Sequence, residues 1–508
     1  MDTDSRQRGM LVLVAVVLLM VLALGALGLH AGVLAAARQR ERESERVLAV
    51  AREALIAYAA DHPVNSSVGP GYLPCPDLDN DGWAESTCGS LSGDSGQEQR
   101  LGRLPWKTLG LADLRDGHGE RLWYAVSSKY KGLLNCAASR GCVDMSPPAA
   151  LGTISVRDAS GFLLNDGTLG DAARAREGGA VAVVIAPGPP LERASAGGRQ
   201  PLQQHRECAP GDCDPDGRCA TEPPQRAAPC DPLNYLDAAP NLPQGAEDNA
   251  DFVDRSDASG RRLNRNGFVH GPVMAEGRVV VNDRVAVVAY ADVMPRIMRR
   301  VALEVAACLR FYASRMGNSG RYPWMGAACA DPSGSIHDQR GSFEGRVPDT
   351  PFAATTAQAV TMLPRWWRAA PRAPEDLSDL PTHDDACRIA IAPDDPGPVR
   401  AARPPAPTDE ASTAGAGGPS WWNTWKSHVT VALAAANAPQ AAAGAGCGGN
   451  TCLAVADRDG STIAAGKSLA VVVRASAASC AQAVTSCDAA GCRVLVDRAA
   501  GEAVAWLP

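Results

Sequence analysis

The stretch MLVLVAVVLLMVLALGALGL, residues 10–29, decides how the rest of the chain is read. It holds no charged residue, and about 20 apolar residues in a helix match the ~30 Å hydrocarbon core of a bilayer. The sequence therefore predicts a membrane-spanning helix. The apolar run passes through HAGVLAAA with no break before Arg38, which separates it from a cleaved secretory signal with its shorter apolar core. Residues 38–61, RQRERESERVLAVAREALIAYAAD, contain neither Gly nor Pro. Their apolar members Val47, Leu48, Ala51, Leu55 and Tyr58 recur at helical spacing. One helix over residues 10–61 would be ~78 Å long at 1.5 Å per residue, half in lipid and half a stalk.

The chain has 508 residues, enough for more than one domain. A net charge of −7 leaves no basic footprint for nucleic acid. The 16 cysteines fall largely into close pairs: Cys75/Cys88, Cys136/Cys142, Cys208/Cys213, Cys219/Cys230, Cys447/Cys452 and Cys487/Cys492. None of these is C-x-x-C, which argues against zinc ribbons and thioredoxin-like sites. Short disulfide-closed loops in an oxidising space are the simpler reading, with Cys75–Cys88, Cys136–Cys142 and Cys447–Cys452 as the expected bridges. Arg38, Arg40, Arg42 and Arg46 follow the apolar run, against Arg6 and Arg8 before it, so the count of positive charges points the other way. Glu41, Glu43 and Glu45 offset those arginines. The resulting expectation is a single-pass inner-membrane protein, N-terminus cytoplasmic and bulk periplasmic or extracellular.

A short leader ending Arg6-Gln7-Arg8-Gly9 directly before the apolar helix resembles the prepilin signal of the type IV filament superfamily, the pilins and the pseudopilins of type II secretion. The resemblance implies cleavage after Gly9 by a prepilin peptidase and N-methylation of the new first residue, Met10. It implies as partners the inner membrane and other pilin or pseudopilin subunits, met through the N-terminal helix. Two departures stand out: Met10 where Phe is usual, and Val14 where the fifth mature residue is usually Glu. Subunits of this superfamily lacking that Glu are chiefly minor ones placed at filament tips. The LPCPD (73–77) and GRLPWKTLG (102–110) segments also resemble turns of some large pilin-like proteins.

In chain order the reading is a leader (1–9), the membrane-spanning and stalk helix (10–61), a first pilin-like module (62–195), a Cys/Pro-rich loop region with connecting strands (196–292) and a second module (293–508). The second carries a Pro/Ala/Gly-rich insert at 370–420. The division rests on a repeat. VALEVAACLRFYAS (301–314) parallels VLAVAREALIAYAA (47–60), and GRYPWMGAACADP (320–332) parallels GYLPCPD (71–77). GRVPDTPF (345–352) parallels GRLPWKTL (102–109), and segments 450–463 and 467–477 stand where 151–164 and 179–189 stand. The fold class expected is α+β: a long N-terminal membrane-spanning helix, then two related pilin-like modules of helix plus antiparallel sheet.

Asp77, Asp79 and Asp81 before Gly82 are spaced as in a calcium loop. Cys88 stands where the bidentate Glu would be, and Glu85 offers a further carboxylate. Calcium is the one cofactor this pattern suggests; an Asp/Gly turn closed by Cys75–Cys88 is the other reading. The sequence Gly93-Asp94-Ser95-Gly96 has a protease-like look, but no segment supplies the base a nucleophilic Ser needs. The eight histidines show no zinc spacing. Cys208, Cys213, Cys219 and Cys230 read as two disulfides. Trp366-Trp367 and Trp421-Trp422-x-x-Trp425 read as core packing, the last within a helix over 421–436, with a binding surface as the alternative.

Together these readings describe a non-enzymatic, membrane-anchored minor pilin or pseudopilin-like subunit of a type IV pilus or type II secretion-like machine, suited to a filament tip. The alternative is a pilin-anchored cell-surface binding protein or adhesin that does not polymerise.

Overall fold

The computed structural model describes residues 3–61, 70–86, 88, 97–127, 130, 152–167, 178–193, 202–203, 232–242, 245–250, 253–256, 262–265, 267–314, 320–326, 341–347, 425–438, 441, 451–474, 485–488, 491–498 and 502–507. Helix α1, Thr3–Asp61, runs for 59 residues. Its C-terminal part buries Val47, Leu48, Ala51, Leu55, Ile56 and Ala59, a stripe at 3–4-residue spacing that faces the core. Toward the N-terminus the helix leaves the head: residues 31–40 are exposed throughout.

The first sheet is antiparallel and has the order β1 (Leu101–Arg103), β2 (Trp123–Val126), β5 (Ala182–Ala186), β7 (Arg284–Val288). Between β2 and β5 the chain forms a hairpin, β3 (Ser155–Arg157) and β4 (Leu163–Asn165), and β6 (Gly267–Val269) joins β3 in parallel. The second sheet repeats this plan. Its order is β8 (Glu344–Gly345), β9 (Val429–Leu433), β12 (Leu469–Val473), β15 (Ala503–Leu507), all antiparallel. Between β9 and β12 lies the hairpin β10 (Leu453–Asp457) and β11 (Thr462–Lys467), joined in parallel by β14 (Gly491–Val496), which also pairs with β13 (Thr485–Asp488).

The correspondence extends to single hydrogen bonds. Gly71 N donates to Ala59 O at 2.8 Å, as Gly320 N does to Ala313 O at 2.9 Å. The hairpin turns match too, with Gly161 N bonding Asp158 O and Gly460 N bonding Asp457 O, both glycines at positive φ (84° and 88°).

Helix α2, Tyr290–Ser314, buries Val301, Ala302, Val305, Leu309 and Ala313 and packs on β12 and β15, while α1 packs on β5, β7 and α2. The layers are therefore sheet, helix, helix, sheet around one continuous apolar cluster. Central strands β5 and β12 are buried along their whole length. Val184 and Ala186 of β5 face the helices, whereas Val183 and Ile185 face Val156 and Phe268 of the small sheet. Burial on both faces is why these strands read as unbroken apolar runs instead of alternating ones.

Several expectations are corrected here. Among the described residues no helix is long and apolar enough to cross a membrane. The membrane-spanning helix and the single-pass inner-membrane localisation are both withdrawn on that finding. Nor is there one antiparallel sheet per module: the described strands form eight sheets of two to four strands, two of them with a parallel pair. The strands are short, and Gly- and Asp-containing turns interrupt them, so pairing is spread over several small sheets. Segment 421–436, read as a helix, instead contributes strand β9, where the β-branched Val429-Thr430-Val431 suits a pleated, buried surface.

Candidate functional site

The acidic loop follows the exit from α1. Leu73 N donates to Tyr130 O at 2.7 Å, and the main chains of Asp77 and Arg103 exchange bonds of 3.0 and 2.8 Å, so the loop starts from the edge of the first sheet. Cys75 and Cys88 form a disulfide, their Cα atoms 5.6 Å apart. Within the ring this bridge closes, the carboxylates of Asp77, Asp79 and Glu85 converge, with ligand atoms within 4.8 Å of one another.

Asp77 is buried. Its Oδ2 accepts from Gly82 N at 2.8 Å and its Oδ1 from Asp81 N at 3.2 Å. Burial, reinforced by the charges of Asp81 and Asp79, pushes its pKa up to about 7, against the lowering effect of the Gly82 N–H. Burial raises Glu85 as well. Asp81 departs from the group: its Oδ1 caps Trp83 N at 2.7 Å, and its carbonyl receives Lys107 Nζ. Arg121 Nη1 holds Asn80 by its side-chain and main-chain oxygens, fixing a residue at φ 64°. Gly82 has φ +90°, and a Cβ there would meet the Trp106 ring at 2.7 Å, so no other residue fits. Three of the four carboxylates read from the sequence are thus brought together, in oxygen-only chemistry that suits a hard cation such as calcium.

A second feature is the collar where α1 enters the head. Gly117 lies against the Arg40 backbone so closely that a Cβ would collide with it, and Gly117 N donates to Ser44 Oγ at 3.0 Å. Asp116 organises this loop by accepting from His118 N, Glu120 N and Gly188 N. Arg284 of β7 pairs with Glu41. Arg52 of α1 bonds Val287 O at 2.7 Å and Asp292 at 2.6 Å. Sequence reasoning did not find the collar, since its parts are scattered from Arg40 to Asp292. It also missed Arg103, buried between the rings of Trp123 (4.2 Å) and Tyr235 (4.0 Å), with burial lowering its pKa to about 10. Here a signal existed: Arg103 and Arg346 share their place in GRLP and GRVP, and each guanidinium donates to a main-chain oxygen, of Arg121 and Lys426 respectively.

Gly9 and Met10 lie in α1, with side chains outside the described residues. Cys136, Cys142, Cys447, Gly93–Gly96, the Cys208–Cys230 cluster, Trp366, Trp367, Trp421, Trp422 and the 370–420 insert also lie outside them. Cys308, Cys452 and Cys492 are disulfide-bonded. Trp425 is buried, its ring edge-on to His428. Comparison with protein families, with curated proteins and with solved structures finds no match for this chain.

Proposed function

We propose that this chain is a non-enzymatic structural subunit of a type IV filament-like assembly, a minor pilin or pseudopilin-like protein that joins other subunits through the N-terminal part of α1. One observation carries the reading. Leu13 and Val16–Leu22 on α1 are 44–65% exposed on a helix whose C-terminal part packs one buried stripe against the head. Burying a Val or Leu side chain is worth about 1.5–3 kcal/mol, so such a projecting segment gains most by packing against like helices. The leader ending in Gly9 adds a prepilin peptidase as processing partner, and Val14 together with so large a head on one helix favours a tip position.

The test places a photo-crosslinker at Leu18 or Val21 in the full chain in its native host. Adducts with other filament subunits are expected. Adducts with none would favour the non-polymerising surface-binding alternative, and a mature protein beginning at Met1 would remove the processing step. The convergence of Asp77, Asp79 and Glu85 supports a second assignment, a calcium site that fixes the loop at the edge of the first sheet.

A further inference from the structure

Three ion pairs join the two helices: Arg52 with Asp292 at 2.6 Å, Glu53 with Arg296 at 2.6 Å and Asp61 with Arg300 at 3.8 Å. The partners advance together along both segments, so α2 runs parallel to α1. Yet the two halves are not level. The repeat matches Val47 to Val301, and Ala59 to Ala313 through the glycine N–H that each accepts. By that match the equivalents of Asp292, Arg296 and Arg300 on α1 are Arg38, Arg42 and Arg46. The second half is therefore stepped along α1, away from its N-terminus, by roughly 20 Å. Such a step joins two unlike faces, and a contact of this kind can be repeated by further members at either end.

At the lower end the open face is on α1. Arg38, Arg42 and Arg46 lie four residues apart on one side of the helix and all are exposed, Arg46 with the exposed Glu43 as its partner. The collar uses another side, through Glu41 and Ser44. Like charges at this spacing repel one another, so the ridge gains from a row of carboxylates. At the upper end the series stops: α2 has Ala307 and Arg315 at the places of Glu53 and Asp61.

We propose that the Arg38–Arg42–Arg46 ridge docks a neighbouring subunit, repeating between chains the junction that α1 and α2 make within one. This rests on the filament-subunit reading above. The neighbour's helix runs parallel to α1 and carries carboxylates at the places of Glu53 and Asp61, with no arginine at that of Arg52. A second copy of this chain is not that neighbour, because its Glu53 and Asp61 are engaged by its own α2. Gln39 and Glu43 stand where α2 buries Val293 and Ile297, so charge more than burial holds the contact, and salt weakens it. Assembly through this junction runs in one direction and ends at this chain.

A photo-crosslinker at Gln39, exposed beside the ridge, tests the junction in the full chain in its native host. Adducts are expected with another filament subunit, at the stretch of its long helix that matches 53–61. Arg42→Glu with Arg46→Glu, two surface changes, should lower the Gln39 yield about fivefold relative to the yield from Leu18. Adducts from Leu18 with none from Gln39 overturn this inference and leave the subunit reading standing; adducts from neither overturn both. Gln39 adducts with lipid, with a second copy of this chain or with any other part of a subunit overturn it as well, as does a yield ratio that the double variant leaves unchanged.

Discussion

The loop 71–77 and its counterpart 320–326 occupy the same place in the two halves of the head, yet they differ in every chemically active position. Each begins with a glycine bonded back to its helix, and each ends in a bridge to an arginine strand, Asp77 to Arg103 and Gly326 to Arg346. Where the first has Cys75 and Asp77, the second has Trp324 and Gly326. Trp324 packs edge-on to Phe343, so an apolar contact stands where the other half has a disulfide and a carboxylate. The helices differ likewise: α2 begins at Tyr290, whereas α1 continues far beyond the equivalent point. The lesson is that the buried strands and helix stripe preserve the plan, and the connecting loops and helix ends are free to take on separate work.

The comparison can be broken most forcefully through the core. Leu55 and Leu309 are both fully buried in one shared cluster. Leu55→Ala and Leu309→Ala should each cost about 2–5 kcal/mol and lower the same calorimetric transition. Two separately shifted transitions would show that the halves melt independently. Cys75→Ser should cost about 2–4 kcal/mol in denaturant titration, an effect with no equivalent at Trp324. Gly117→Ala, which drives a methyl group into the α1 backbone, should cost about 1–3 kcal/mol and raise exchange at residues 40–46, with the second half untouched.

The remaining contrast concerns protons and cations. Asp77 titrates near 7 when folded, above the unfolded value of about 3.9. Its stabilising contribution is therefore complete below pH 4 and lost as pH rises through 7. Melting temperatures of metal-free protein should show that loss. Calcium should raise the melting temperature at pH 8 and leave it nearly unchanged at pH 5, and Asp77→Asn should abolish both dependences. A calcium response that survives Asp77→Asn would place the cation elsewhere.

Much of the plan was legible because periodicity reports burial. The stripe Val47–Leu48–Ala51–Leu55 and the runs AVVIA and LAVVV could serve only as a core face and as buried strands. The acidic loop was legible because Asp at alternate positions before Gly is a local arrangement. What stayed hidden depends on contacts between residues far apart in the chain. The parallel pairing of β6 with β3 joins segments more than 100 residues apart, and no local pattern encodes it. Asp81 was grouped with the other carboxylates by spacing, and only the fold turned it to cap Trp83.

By itself the sequence determined which residues are inside, the helices that carry them, the twofold repetition of segments and the position of the acidic loop, since each follows from side-chain hydrophobicity and short-range spacing. Tertiary structure alone decided the division into small sheets, the burial of Arg103 between two rings, and the collar of Glu41, Gly117 and Arg284. These arise where distant strands and loops meet a helix, and their energies come from desolvation and close approach that no stretch of chain contains before it folds.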